Sequence, residues 1–205
     1  GVMVSEYMLQ QTPVNRVLPK WNEWMERWPT PKDLAKATPA QVITAWGRLG
    51  YPRRALRLHS AAQIIAEDFN NTVPEDQETL QLLPGIGEYT AAAIAAFAFE
   101  QRSLVMDVNI RRLLVRAIDG EEHPKPTPTA KEKARRLAIL PDKNAHVWAA
   151  ATMELGALVC TSKNPSCELC PIIGQCQWRK NGYPKTDLVR KSQDWHGTDR
   201  KCRGT

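Results

Sequence analysis

The chain has 205 residues, 42% of them hydrophobic and 24% charged, with a formal net charge of +6. That is enough apolar material for one or two packed domains, and it excludes a disordered chain. No apolar run approaches the ~20 residues that a bilayer span needs, and the positive balance points to a polyanionic partner, nucleic acid first.

The pattern is helical throughout. The chain starts without Met, inside a helix, and shows no secretory leader, so it reads as lacking an N-terminal stretch. Apolar residues recur at helical spacing over Val14–Trp28, and Trp21, Trp24 and Trp28 form one stripe that reads as core. Thr38-Pro39 caps a helix to about Trp46. Arg53–Phe69 is another, with Leu56, Ile64 and Ile65 inward. Pro74 opens a short helix that stops at Leu83-Pro84-Gly85. An alanine-rich helix follows from Glu88 to about Phe99, and Asp107 caps one through Ile118. Alternating prolines between His123 and Thr129 make a rigid connector. Helices over Ala130–Leu140 and Ala145–Val159 lead into a cysteine-rich loop. The fold class is all-α. The last residues, where eight Lys/Arg face three Asp/Glu between Arg179 and Thr205, read as a solvated basic tail.

In the loop, Cys160, Cys167, Cys170 and Cys176 are separated by six, two and five residues. So compact a set can wrap one inorganic centre, because thiolates bind both iron–sulfur clusters and zinc. Structural zinc usually takes two close Cys pairs. Here one close pair is flanked by single cysteines, which favours a [4Fe–4S] cluster and leaves zinc and free thiols open. Cys202 stands apart as an ordinary thiol. Unpaired cysteines suit a reducing cytoplasm.

Between two helices, Leu83-Pro84-Gly85-Ile86-Gly87 is a tight turn whose glycines Gly85 and Gly87 leave backbone N–H groups free at a helix start. Such a start attracts phosphate. Taken alone the turn can be merely a turn. Beside the cysteines and the charge it reads as a helix–hairpin–helix that grips DNA backbone.

The hairpin, Asp107 and the cysteine spacing together resemble the helix–hairpin–helix DNA glycosylases of the endonuclease III superfamily. Val4-Ser5-Glu6-Tyr7-Met8-Leu9-Gln10-Gln11-Thr12, Trp46-Gly47-Arg48-Leu49-Gly50-Tyr51 and Met106-Asp107-Val108-Asn109 are similar to its adenine glycosylase (MutY) family. The resemblance spans roughly residues 1–185. It implies a helical barrel domain over 1–102 with the hairpin, a second helical domain over 103–185 with the cluster, and a basic linker over 186–205. It also implies a monomer of the bacterial cytoplasm and nucleoid. The implied activity is excision of adenine opposite 8-oxoguanine or guanine in double-stranded DNA. By resemblance Glu6 is the general acid, Asp107 the carboxylate beside the sugar, and Asn109 a residue that orients Asp107 or the sugar.

Each has a plainer alternative. Glu6 reads equally as the exposed face of an apolar helix, Asp107 as a helix cap, Asn109 as a surface residue. Tyr89 stands where lyase-competent relatives have the Schiff-base Lys, and no Lys occurs between Lys36 and Lys125, so base release without strand cleavage is expected. Gln11 and Tyr51 are expected to enter the duplex, with Gln10 contacting DNA and Thr12 and Leu49 near the 8-oxoguanine strand. Arg53, Arg54 and Arg57 are expected on phosphates. Val108 stands where the family has a smaller residue and is expected to crowd the sugar. Family members continue into a Nudix-like domain that this chain does not contain. A pyrimidine glycosylase on the same scaffold and a non-catalytic DNA-binding module are the competing readings.

Overall fold

A computed structural model describes residues 1–186 of the chain. The basic tail and Cys202 lie outside the described residues. Eleven α-helices occur among the described residues, with no strand. They are α1 (Val2–Leu9), α2 (Val14–Arg27), α3 (Pro31–Ala35), α4 (Pro39–Trp46), α5 (Arg53–Asp68) and α6 (Gln77–Leu82). After the hairpin come α7 (Glu88–Phe99), α8 (Val108–Leu114), α9 (Ala130–Ile139), α10 (Ala145–Leu158) and α11 (Gln177–Lys180). No helix among the described residues is long and apolar enough to cross a membrane.

Local signals set most boundaries. Thr38 and Gln41 close a capping box at the start of α4, and Thr30 and Asp33 do the same for α3, which the sequence reading missed. The helix expected from Pro74 begins at Gln77 instead, because the Asp76 side chain accepts from Thr79 N at 2.8 Å and caps there. The helix expected through Ile118 changes type: α8 ends at Leu114 and continues as a π turn over Val115–Asp119.

Two apolar clusters form. The larger joins α1 to α7 around Tyr7, Trp24, Trp46, Leu58, Ile65 and Ile94. Of the expected Trp stripe only Trp24 is fully buried; Trp21 and Trp28 pack on the cluster's rim, and the Trp24 ring meets Trp46 edge-on at 5.5 Å. On α5 the inward face is Ala55, Leu58, Ala61, Ala62 and Ile65, while Leu56 and Ile64 are only half-buried. Small residues face inward there because α3 and α4 both pack on α5. The smaller cluster gathers Ala93, Ala96, Val105, Ile110, Leu114 and Ala149 from α7, α8 and α10. Helix α7 therefore serves both clusters, with residues Thr90 through Ala96 all buried.

Candidate active site

Helix α1 is apolar nearly all round, and Glu6 sits in it only 8% exposed, beside fully buried Tyr7 and Met8. A carboxylate there loses hydration. Burial accordingly pushes the Glu6 carboxyl up to about 7, the hydrogen bond from Tyr89 works against that rise, and the negative charge of Asp107 adds to it. Tyr89 stands on the first turn of α7, and its hydroxyl is pushed up by burial first, then by the charges of Glu6 and Asp107. Residues 6, 89 and 107, far apart in sequence, thus form one electrostatic group. The packing of α1 on α7 brings the first two together.

Asp107 is the N-cap of α8. Its Oδ1 accepts from Asn109 N at 2.6 Å and Ile110 N at 3.4 Å, and the helix dipole favours negative charge there. Asn109 touches Asp107 through its backbone. Its side-chain Oδ1 accepts instead from Arg112 Nη2 at 2.8 Å, and Arg112 also donates to the carbonyls of Gly156 and Cys160. Gly156 matters to this corner. A Cβ there would lie 2.6 Å from the Asn109 carbonyl oxygen, so only glycine lets α10 approach α8 so closely. Val108 is 54% exposed beside the cap.

The hairpin is tied to α1 directly. The Tyr7 hydroxyl donates to the Pro84 carbonyl. Gly85 has φ +87°, and a Cβ on it would stand 2.8 Å from Tyr7 Cε1. Gly87 caps α7 with open space around it. The structure also brings an amine to this hairpin that sequence distance hid: Lys133 Nζ pairs with Glu88 Oε1 at 2.5 Å.

The residues expected around the lesion divide sharply. Gln11 and Tyr51 are exposed, Tyr51 by 55%, and both have positive φ, 58° and 48°. Gln10 is half-buried. Thr12 and Leu49 are buried, and the Thr12 hydroxyl donates to the Leu49 carbonyl at 3.2 Å. Arg54, expected on phosphate, is also buried, with both terminal nitrogens bonded to main-chain carbonyls. Exposed Arg53 and Arg57 remain available for phosphates.

Cys160, Cys167, Cys170 and Cys176 line one cavity whose other walls include Leu113, Ile172 and Trp178. Burial pushes the thiols of Cys167 and Cys170 up, and the other cysteines add to the rise, which places the four close enough to repel as thiolates. Arg116 reaches them: it lies over the Trp178 ring, and its Nη1 is 3.4 Å from Cys160 Sγ. The sequence reading did not single out Arg116. The donor set, four thiols and a cation that offsets thiolate charge, fits a thiolate-bound cluster. No group of three or more His, Cys, Asp or Glu among the described residues is arranged for a single metal ion.

Residues 4–138 match the family described as HhH-GPD superfamily base excision DNA repair protein. The chain is 48% identical to the adenine DNA glycosylase of Mycolicibacterium smegmatis, over 99% of this chain and 69% of that protein. It is 50% identical to that of Mycobacterium tuberculosis, over 99% and 67%. With the human adenine DNA glycosylase it shares 42% identity over 88% of this chain and 33% of the relative. It therefore spans about two thirds of the mycobacterial relatives and a third of the human one. Among solved structures, a thermostable thymine-DNA glycosylase superposes with TM-score 0.81 at 21% identity, covering 88% of this chain and 83% of that one. A non-covalent endonuclease III–DNA complex gives 0.75 at 20%, covering 89% and 85%. At those identities the likeness is one of fold.

Proposed function

The chain belongs to the adenine DNA glycosylases of the HhH-GPD base excision repair superfamily, and from that membership we propose its mispair and its chemistry. It is an adenine-specific DNA N-glycosylase of base excision repair. The adenine it removes stands opposite 8-oxoguanine or guanine, and the strand is left uncut.

One observation supports this most: a buried carboxyl that keeps its proton near neutrality, joined to Tyr89 and to a second carboxylate. Two carboxyl groups in different environments divide acid and electrostatic work. The adenine leaves the stack, at a cost of a few kcal/mol. Glu6 gives its proton to the base. The C1′–N bond breaks with its electron pair going to adenine, and positive charge develops on the sugar. Asp107, held by the α8 cap, faces that charge. Water adds to C1′ and its proton returns to Glu6, so adenine and an abasic sugar result. Tyr89 holds the Glu6 carboxyl and cannot form an imine, which is why the reaction stops at base release. Gln11 and Tyr51, exposed on adjoining loops, fill the gap left in the duplex.

Residues 1–102 and 103–185 act as two helical halves, Glu6 and Tyr89 from the first and Asp107 from the second. A [4Fe–4S] cluster on Cys160, Cys167, Cys170 and Cys176 would cross-link the loop that packs beside α8, with Arg116 offsetting its charge.

The test is excision from duplexes holding adenine opposite 8-oxoguanine, adenine opposite guanine, or thymine glycol. Adenine release from the first two, with no strand cleavage and no borohydride-trapped adduct, is expected. Release of thymine glycol overturns the substrate. A strong adduct on Lys133, or elsewhere near the hairpin, overturns the monofunctional course.

A further inference from the structure

We infer that Arg54 is a positioning residue, whose guanidinium staples the 10–12 and 49–51 loops together and so sets the distance between Gln11 and Tyr51 at a lesion. The role at a lesion rests on the glycosylase reading above; the staple itself does not.

The loops are remote in sequence. The first joins α1 to α2 and the second joins α4 to α5. Each contains a non-glycine residue at positive φ, Gln11 at 58° and Tyr51 at 48°, next to Gly50 at 81°. Such residues cost about 1 kcal/mol or more each and persist only where neighbours over-determine them. Arg54 supplies that constraint. Its Nη1 donates to the carbonyls of Tyr7 and Met8, both at 3.0 Å, and of Gln10. Its Nη2 donates to Thr12 Oγ1 at 2.9 Å and to the carbonyls of Leu49 at 3.2 Å and Gly50 at 3.1 Å. The Tyr7 and Met8 carbonyls belong to the last turn of α1, where acceptors lack intrahelical donors and a cation is favoured.

Of two further bonds, the first also crosses between the loops and the second fixes the 49–51 loop alone. Thr12 Oγ1 reaches the Leu49 carbonyl at 3.2 Å, and Trp46 Nε1 donates to the Gly50 carbonyl at 2.9 Å. The guanidinium also lies over two aromatic rings, its Cζ 5.2 Å from the Trp46 centroid and 5.6 Å from that of Tyr51. At 7% exposure Arg54 has little surface for a phosphate. The planar fork is the working part. Lysine keeps the charge but offers a point donor that cannot address both loops.

The experiment compares the wild-type chain with Arg54→Lys, Arg54→Met and Thr12→Val. Affinity is measured for an undamaged duplex across salt and for a duplex with adenine opposite 8-oxoguanine, alongside amide hydrogen exchange of the free proteins. For a staple, both Arg54 variants lose at least about tenfold in lesion preference, since a small misplacement of an entering group suffices. The salt slope for undamaged duplex stays unchanged. Amides of residues 10–12 and 49–51 exchange faster while those of α7 do not, a pattern that general loss of stability would not give. Thr12→Val shifts both readouts the same way, less far. Lesion preference retained in Arg54→Lys, or a slope lowered by about one in Arg54→Met as for a lost phosphate contact, overturns the proposal. If the Arg54 variants do not fold, Thr12→Val with wild-type exchange in both loops overturns it. A wild-type chain that releases no adenine sinks the glycosylase reading, while the exchange data still decide the staple.

Discussion

The carboxylate site and the cysteine loop are bridged by the guanidinium of Arg112, which donates to Asn109 Oδ1 and to the Cys160 carbonyl, yet they are held by different forces. Around Glu6 the frame is apolar burial, with Tyr7, Met8, Ala91 and Ile94 at 0% exposure. Between Cys160 and Cys176 no residue is fully buried, and order comes from two short 3-10 turns and from carbonyls gathered by Arg112 and Arg116. A region of the first kind keeps its shape without a cofactor. A region of the second kind has little of its own to hold it and depends on cross-linking through its thiols. Chemistry and stability should therefore separate by region.

The largest effect should be on chemistry alone. Asn caps a helix nearly as well as Asp, so Asp107→Asn should leave the melting temperature close to wild type. Loss of the charge facing the sugar should slow single-turnover excision by about 10²–10³-fold. Glu6→Gln should slow it at least about 100-fold with duplex binding intact. Wild-type turnover in Asp107→Asn would reduce Asp107 to a cap.

Cys170→Ser should do the reverse. The purified protein should lose its iron, melt earlier and bind DNA less well, while Cys202→Ser changes none of these. Stoichiometric zinc without iron in the wild-type protein would replace the cluster by a zinc site.

The third contrast is in pH. Glu6 holds its proton up to about 7 in the folded chain, against an ordinary 4.5. Its folded-state value is raised, so the stabilisation this brings is present at low pH and lost as pH rises from about 4.5 through about 7. Excision should decline through the same upper limit as the acid loses its proton. At pH 8 the buried charge should cost up to about 3 kcal/mol. Denaturant melts should then show Glu6→Gln more stable than wild type at pH 8 and not at pH 4. An equal difference at both pH values would remove ionisation as the cause.

The smallest effect tests the seam between the regions. In Gly156→Ala the new methyl meets the Asn109 carbonyl, and overpacking of this kind costs about 1–3 kcal/mol. Melting should fall, and excision with it, because Asn109 donates to Asp107. An unchanged melt would mean that α8 and α10 separate freely.

Much of the helical order was legible because it is written in local chemistry. Thr38-Pro39 marks α4, and the same Thr-Pro signal at Thr30-Pro31 marks α3, whose five residues are too few to show periodicity. The cysteine cavity was legible from spacing. The inward face of α5 was not, since Ala55, Ala61 and Ala62 are buried by how closely α3 and α4 approach, a property of the partners. Glu6 illustrates the same limit: an apolar helix does not say which of its sides meets α7. The bonding of Arg54 was hidden for a sharper reason. Its partners are mostly main-chain carbonyls, several of them more than forty residues away, and no residue-type pattern records a carbonyl.

Helix α7 is the wall common to both apolar clusters, Ala91 and Ile94 facing one and Ala93 and Ala96 the other. Neither cluster can melt while the other stays packed, because each would have to strip a face from the same helix. The two apolar clusters should therefore unfold together, and the Glu6–Asp107 pair should persist up to the temperature at which both are lost, whatever becomes of the cysteine loop.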